Sequence, residues 1–412
     1  MPSTQTTIKV RPLNLTPTYN ETIVVLESAS VSQSNFKWIV DIYKGEPTEA
    51  EYELLSTVVI LPNPDGYGVI DFHRHVENYI TTSFFPTDVD KISQKVTNEG
   101  LKWSFKVTEQ YSTTEVEQTL SGSNVVHSFN GALSFQDFRN WDSFDYEMSN
   151  TSLDATKFLI DNSNTLDVSL EDRVWVNNFM NTTYFRGLKI ETDNGVFTVE
   201  QTFNPTGQHF INQNKIGPKD ILESSDTFLT VSGSLPIVDL NTTFIKVTPL
   251  DALLTTAVGE TITLNVKDYC SKHEAVRFFY MDKLGSYLPV TFNKVSKKNI
   301  TNTRNNYRQN YGSYDSVSNS WGYTTYDRGT TNYNINTKEV ITCTSDWMTE
   351  DQSKIVIGLL NSPNVYIQSS IGEYIAVNIT TNTFEDKKTV NEKLINYTIS
   401  FEHANTNTNQ RG

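Results

Sequence analysis

Apolar and polar side chains alternate with a period of two from one end of this 412-residue chain to the other. That period puts neighbouring side chains on opposite faces of a strand, so it commits the chain to half-buried β-sheet. Phe36, Trp38, Val40 and Ile42 share one face, and Trp103, Phe105 and Val107 share another. Ile262, Leu264 and Val266 alternate with Thr263 and Asn265. Ile395, Tyr397, Ile399 and Phe401 alternate with Asn396, Thr398, Ser400 and Glu402, which predicts one half-buried strand of an antiparallel sheet. The 22 Phe and 20 Tyr agree, because flat rings pack well on pleated surfaces.

Turn residues punctuate these stretches. Asn194-Gly195 lies between LKIET and VFTVE and predicts a hairpin with a type I′ turn. Asn63-Pro64-Asp65-Gly66 is a second turn signal. Helices are few. One is expected over 350–361, with Thr349 as cap and Gln352 completing a capping box. Ile355, Val356, Leu359 and Leu360 form its apolar stripe, and Pro363 ends it. A second short helix is expected over 73–81, with Val76, Tyr79 and Ile80 pointing inward. The expected fold is mainly β: two to three antiparallel β-sandwich domains with few short helices. The expected divisions are 1–124, 125–241 and 242–412.

The net charge is −15, which disfavours sequence-independent binding to phosphate backbones and gives no sign of sequence-specific nucleic-acid recognition. An acidic conduit through which DNA slides without sticking stays compatible with it. The longest apolar runs, such as 58–61, are far short of the roughly 20 residues that span a bilayer. MPSTQTTIKV has no apolar signal-peptide core, so no membrane partner and assembly in a cytoplasm are expected. Two cysteines, Cys270 and Cys343, make no disulfide framework, although a single bridge between them stays open. Asn-x-Ser/Thr triplets at Asn14, Asn181, Asn299 and Asn378 are expected by chance in an Asn- and Thr-rich chain.

Patterns for catalysis are weak. His73 and His75 place two imidazoles near each other but find no third ligand at metal-site spacing. Cys270 and His273 lack an orienting third group. Asp142 and Asp145 offer a carboxylate pair of the kind glycosidases use, among 48 acidic residues where such pairs arise readily. Gly66-x-Gly68 follows a turn and opens no long helix, so it is no dinucleotide loop. No catalytic residue, metal or cofactor is therefore expected, and a building or binding role is favoured over an enzymatic one.

One segment stands apart. Residues 299–337 are rich in Asn, Tyr, Ser, Thr and Gly and nearly free of aliphatic side chains. Tyr307, Tyr311, Tyr314, Trp321, Tyr323, Tyr326 and Tyr333 stud it. It cannot build a core of its own, so it is either a loop or an arm that docks on a partner through these rings.

Several blocks together resemble structural proteins of tailed-phage virions. They are FKWIVDIYKG (36–45) leading to NPDGYGVIDFHRHVENYI (63–80), then FNGALSFQDF (129–138) and VRFFYMDKLGSYLPVTF (276–292). TSDWMTEDQSKIVIGLLNSPNVYI (344–367) and NEKLINYTISFEHA (391–404) follow in the same order. The chain is similar to such proteins from phages of Bacteroidota, crAss-like phages among them, and within the virion to a tail hub, adaptor or distal-tail component. The resemblance implies β-sandwich domains in a homo-oligomeric ring around the tail axis, with other tail or portal-proximal proteins as partners. It implies no catalytic residue. A receptor- or glycan-binding tail-tip protein is the alternative.

Overall fold

The computed structural model describes residues 6–46, 52–82, 84, 90–96, 99–118, 124–148, 156–161, 164–181, 185–201, 209–268, 273–369, 372–383, 395–405 and 409–410. Strands dominate, and the fold is mainly β with a few short helices, as the alternation predicts. The chain divides into two compact units, 1–268 with 279–290, and 269–278 with 291–412.

The first unit is built around the strand Lys37–Lys44. It pairs antiparallel with Glu53–Ile60 on one side and Gly100–Tyr111 on the other. Val125–Phe129 and Leu15–Pro17 extend that sheet, and Thr114–Gln118 folds back on Gly100–Tyr111. A smaller sheet, Thr7–Val10, Ile23–Glu27 and Tyr67–Asp71, contributes to the same core. Val24 and Leu26 from the small sheet meet Trp38, Val40, Ile42, Trp103, Phe105 and Val107 from the large one in a single cluster, which makes a sandwich. Trp38 is fully buried, and its indole N–H donates to Thr6 Oγ1 at 3.1 Å.

The turn at 63–66 carries the chain from one layer to the other. Gly66 N donates to Asn63 O at 2.9 Å, and the Asn63 side chain accepts from Asp65 N and Tyr67 N. Gly66 has φ +85°, a conformation open to glycine. The chain then enters the helix His73–Val76 and the 3-10 turn Glu77–Tyr79. Val76 and Ile80 are buried as expected, but Tyr79 points outward and is 45% exposed. The switch from α-helix to 3-10 geometry breaks the 3.6-residue spacing that would have turned Tyr79 inward.

Further along the first unit lies a six-stranded sheet. Its order is Thr165–Val168, Ile262–Val266, Phe244–Asp251, Phe185–Thr192, Gly195–Glu200 and Phe228–Gly233. The expected hairpin is here, but its turn differs. Thr192 pairs with Gly195, so the two loop residues are Asp193 and Asn194, and Asn194 does not take the positive φ of a type I′ turn. Tertiary contacts impose this shift. The Asp193 carboxylate accepts from Thr243 N at 2.5 Å, and Asn194 Nδ2 donates to Pro236 O. Gly195 lies against the neighbouring strand so closely that a Cβ would sit 2.1 Å from Ser232 O. The expected boundary near 241 falls at the turn before Phe244–Asp251, a strand that pairs with Phe185–Thr192. Some pairings are parallel, among them Leu15–Pro17 with Val125–Phe129, Glu147–Met148 with Trp175–Asn181, and Thr165–Val168 with Ile262–Val266.

The second unit holds the strands Thr330–Thr344, Thr398–His403, Tyr374–Ile379 and Val365–Gln368 in that lateral order. Ile399 and Phe401 are buried, as the final alternation requires, and Phe401 meets Phe278 edge-on at 5.2 Å. The helix Glu350–Asn361 forms where expected. Thr349 Oγ1 accepts from Gln352 N, and the Gln352 side chain accepts from Thr349 N. Val356 and Leu359 of its stripe are fully buried, and Ile355 and Leu360 are half-buried. Burial pushes the Cys343 thiol up to about 12, so it is inert as a nucleophile. Cys270 lies outside the described residues. Among the described residues, no helix is long and apolar enough to cross a membrane.

Trp38→Ala removes a wholly buried indole from the sandwich core. We expect a loss of about 3–5 kcal/mol in denaturant unfolding, whereas Leu240→Ala, at a residue 90% exposed, should change stability by less than about 0.5 kcal/mol.

Candidate functional site

The segment 299–337 is an ordered hairpin arm. Its β-branched and aromatic residues favour extended backbone, and Lys297–Arg308 pairs antiparallel with Thr330–Thr344 over its whole length. Every residue of Lys297–Arg308 is exposed. Main-chain bonding and cross-strand polar contacts therefore hold the arm, without a core. Thr337 Oγ1 donates to Asn302 Oδ1 at 2.8 Å, and Lys298 Nζ meets Glu339 Oε2 at 2.6 Å. The register slips once: Asn305 faces Asn334 and Asn306 faces Asn332, leaving Tyr333 as a bulged extra residue. The Tyr333 ring lies 6.2 Å from that of Tyr307.

A second, smaller hairpin forms the tip, Ser313–Asp315 with Ser320–Gly322, and pairs Tyr314 with Trp321. Asp315 shapes its turn by accepting from Val317 N and from the Ser318 hydroxyl, and these bonds hold its carboxyl below the usual range. The Tyr314 hydroxyl bonds to Asn319 Oδ1. Gly312, at φ +95°, lets the backbone pass the Trp321 indole, where a Cβ would lie 2.5 Å from Nε1. The indole N–H donates to Tyr311 O at 3.1 Å, and the Tyr311 and Tyr323 rings sit 5.2 Å apart. All seven aromatic residues expected as partner contacts lie on this arm and are exposed, Tyr326 most of all at 81%. They are exposed amphipathic rings, the kind of side chain that binding hot spots use.

The histidines and carboxylates that could have carried chemistry are held by local partners. His73 Nδ1 contacts Asp71 Oδ2 at 2.7 Å, whereas His75 Nδ1 contacts Ser56 Oγ at 3.3 Å. Asp142 caps the 3-10 turn Ser143–Asp145 by accepting from Phe144 N, and Asp145 pairs with Lys157. Each carboxylate thus has a local structural partner. Gly68 has a packing role: a Cβ there would come within 2.7 Å of the Trp38 ring. Of the Cys270 and His273 pair, the cysteine lies outside the described residues.

Sequence patterning missed several buried ionisable groups, Asp282 and His127 among them. Asp282 is fully enclosed, and burial together with the nearby Asp161 charge pushes it up to about 7. Its carboxylate accepts from Asp161 N at 2.7 Å and is almost wholly shielded from solvent. His127 is another. Its ring packs 4.9 Å from Phe179 and 5.9 Å from His209, which bonds to Glu147 at 2.8 Å. Both His127 ring nitrogens lack a hydrogen-bond partner among the described residues. Burial first, then the proximity of His209 and Lys102, pulls its pKa down to about 3. Nothing in the single-strand alternation around His127 marks this, because the neighbours that enclose it come from distant parts of the chain.

His127 and Asp282 act on acid stability with opposite signs. The unfolded chain binds the His127 proton near pH 6.5 and the folded one only near 3, so this group's contribution is full above pH 6.5 and falls as pH drops through that window. Asp282 is raised to about 7, so its contribution is present at low pH and is lost as pH rises towards 7. Each is worth on the order of 2 kcal/mol between pH 7 and pH 5, so the parent should change little over that range. His127→Phe removes only the acid-labile contribution and should unfold at a higher midpoint at pH 5 than at pH 7. The arm yields a second prediction. Replacing 303–334 with a short Gly-containing turn should leave the thermal midpoint within a few degrees of the parent, because the excised stretch has no core. A larger fall would place part of the core in the arm. No protein-family model matches the chain, and no curated protein matches it.

Proposed function

We propose that this chain is a non-enzymatic structural component of a tailed-phage virion: a tail hub or adaptor that assembles around the tail axis and helps connect tail parts for DNA delivery. The observation that carries the reading is the arm. It is ordered, has no core, and presents seven exposed aromatic rings from a β scaffold. A two-stranded ribbon is marginal alone in water and gains from a partner that covers it. The net charge of −15 suits a conduit that conducts DNA without retaining it. The resemblance of the blocks at 36–45, 63–80, 129–138, 276–292, 344–367 and 391–404 to tail proteins adds to it. On this reading the chain is made in the host cytoplasm and resides in the virion tail. Its partners are further copies of itself and neighbouring tail or portal-proximal proteins.

A receptor- or glycan-binding tail-tip protein is the second reading. The Tyr311–Tyr323 pair beside Trp321 favours it, since sugar rings stack on such surfaces.

Immunogold electron microscopy of particles from a producing lysate, with antibodies to this chain, separates these readings. Label at the tail or head–tail junction is the expected result. Label confined to fibre tips would favour the receptor reading, and unlabelled particles beside abundant soluble protein would overturn both.

A further inference from the structure

Among the described residues several strands end a sheet, Lys297–Arg308 of the arm and Phe228–Gly233 among them. Lys297–Arg308 pairs, among the described residues, on one side only, with Thr330–Thr344, and its other edge is open along twelve residues. In the first unit, Phe228–Gly233 closes a margin of the six-stranded sheet and pairs only with Gly195–Glu200. It bulges at Val231, which is 66% exposed, and Leu229 is exposed beside it. The margin at Glu53–Ile60 is treated differently: Tyr79 Oη donates to Leu55 O, and Ser56 meets His75 across it. Among the described residues, Phe228–Gly233 has no such cover; its bulge blunts the edge only in part, leaving Leu229 and Val231 exposed, and uncovered apolar edges invite strand addition.

Charge decides which edges can meet. Lys297–Arg308 carries Lys297, Lys298, Arg304 and Arg308 and no acidic residue. Two such edges side by side would set four cations against four, so arms repel one another. The hairpin from 297 to 344 holds six Lys or Arg against three Asp or Glu, a net of +3. With the whole chain at −15, everything outside the hairpin sums to −18. A basic arm therefore fits the acidic body of a second copy. Phe228–Gly233, FLTVSG, has no charge to oppose it.

We propose that the outer edge of Lys297–Arg308 in one copy adds as a strand to the outer edge of Phe228–Gly233 in the next copy. The inference rests on the assembly reading above and names its first partner, a second copy of this chain. Main-chain bonds supply the affinity of such an addition, and the Leu229, Val231 and Tyr307 side chains its specificity. The contact is heterologous, each copy offering an arm and receiving one, so it propagates into a closed ring or an open filament.

Sedimentation velocity on the full chain tests this. The parent should self-associate with concentration, and at least about tenfold less tightly in 1 M salt. R304E/R308E spoils the arm, and V231K blocks the receiving edge. Each alone should be monomeric in the range where the parent associates, while R304K/R308K associates normally. Circular dichroism melts matching the parent establish that the variants fold. An equimolar mixture of R304E/R308E and V231K should form a 1:1 dimer and nothing larger, because one intact arm meets one intact edge. A monomeric parent, an unchanged variant, or a mixture that stays monomeric would overturn the proposal. Its failure is distinct from failure of the virion reading: tail label with a monomeric chain sinks this contact alone, and self-association without label sinks the virion role alone.

Discussion

Main-chain hydrogen bonding between strands is the interaction on which the rest of the structure depends. Each strand has two edges to pair and at least one face to cover. Lys37–Lys44 meets all these demands at once. Its edges are taken by Glu53–Ile60 and Gly100–Tyr111, and its inner face, with Trp38, Val40 and Ile42, is sealed by the smaller sheet. Where an edge is left over, the chain either covers it, as Tyr79 does over Leu55, or leaves it open. Lys297–Arg308 is the extreme case, paired along one edge and exposed at every residue.

Buried polar groups add a second layer of specification. Asp220 is wholly enclosed and accepts from Arg173, Trp175 Nε1, Val174 N and Gly217 N. One carboxylate thus ties the helix Pro218–Glu223 to the start of Trp175–Asn181. Across that strand and its neighbour His209–Lys215, Asn178, Asn212 and Asn214 bond to one another and to Ser93, all out of contact with water. An unpaired amide there is costly, so these bonds penalise a slipped register more sharply than apolar packing does. They also leave Trp175–Asn181 buried along nearly its whole length, without the alternation that marks a half-exposed strand.

The contrast between body and arm gives the functional reading its physical basis. The body carries the acidic charge and the packed core, whereas the arm is basic, aromatic and built without a core. Exposed Tyr and Trp rings lose little entropy on binding and offer both an apolar face and a polar tip. Side chains of that composition suit docking.

The alternation in the sequence determined the β class, the inward faces of Lys37–Lys44, Gly100–Tyr111 and Thr398–His403, and the capped helix Glu350–Asn361. These are local matters: a period of two, or a capping box, is complete within a dozen residues. The aromatic composition of 299–337 likewise marked the candidate site before any fold was known. Only the tertiary structure decided that this segment is a hairpin with a bulge at Tyr333, that Tyr79 turns outward, and that the turn at 193–195 is shifted by one residue. It alone showed that His127 and Asp220 are enclosed and that Phe228–Gly233 ends a sheet. The reason is common to all of these. Which edge is left unpaired, and which polar group is shut away from water, depends on partners tens to hundreds of residues distant, and a local pattern carries no record of them.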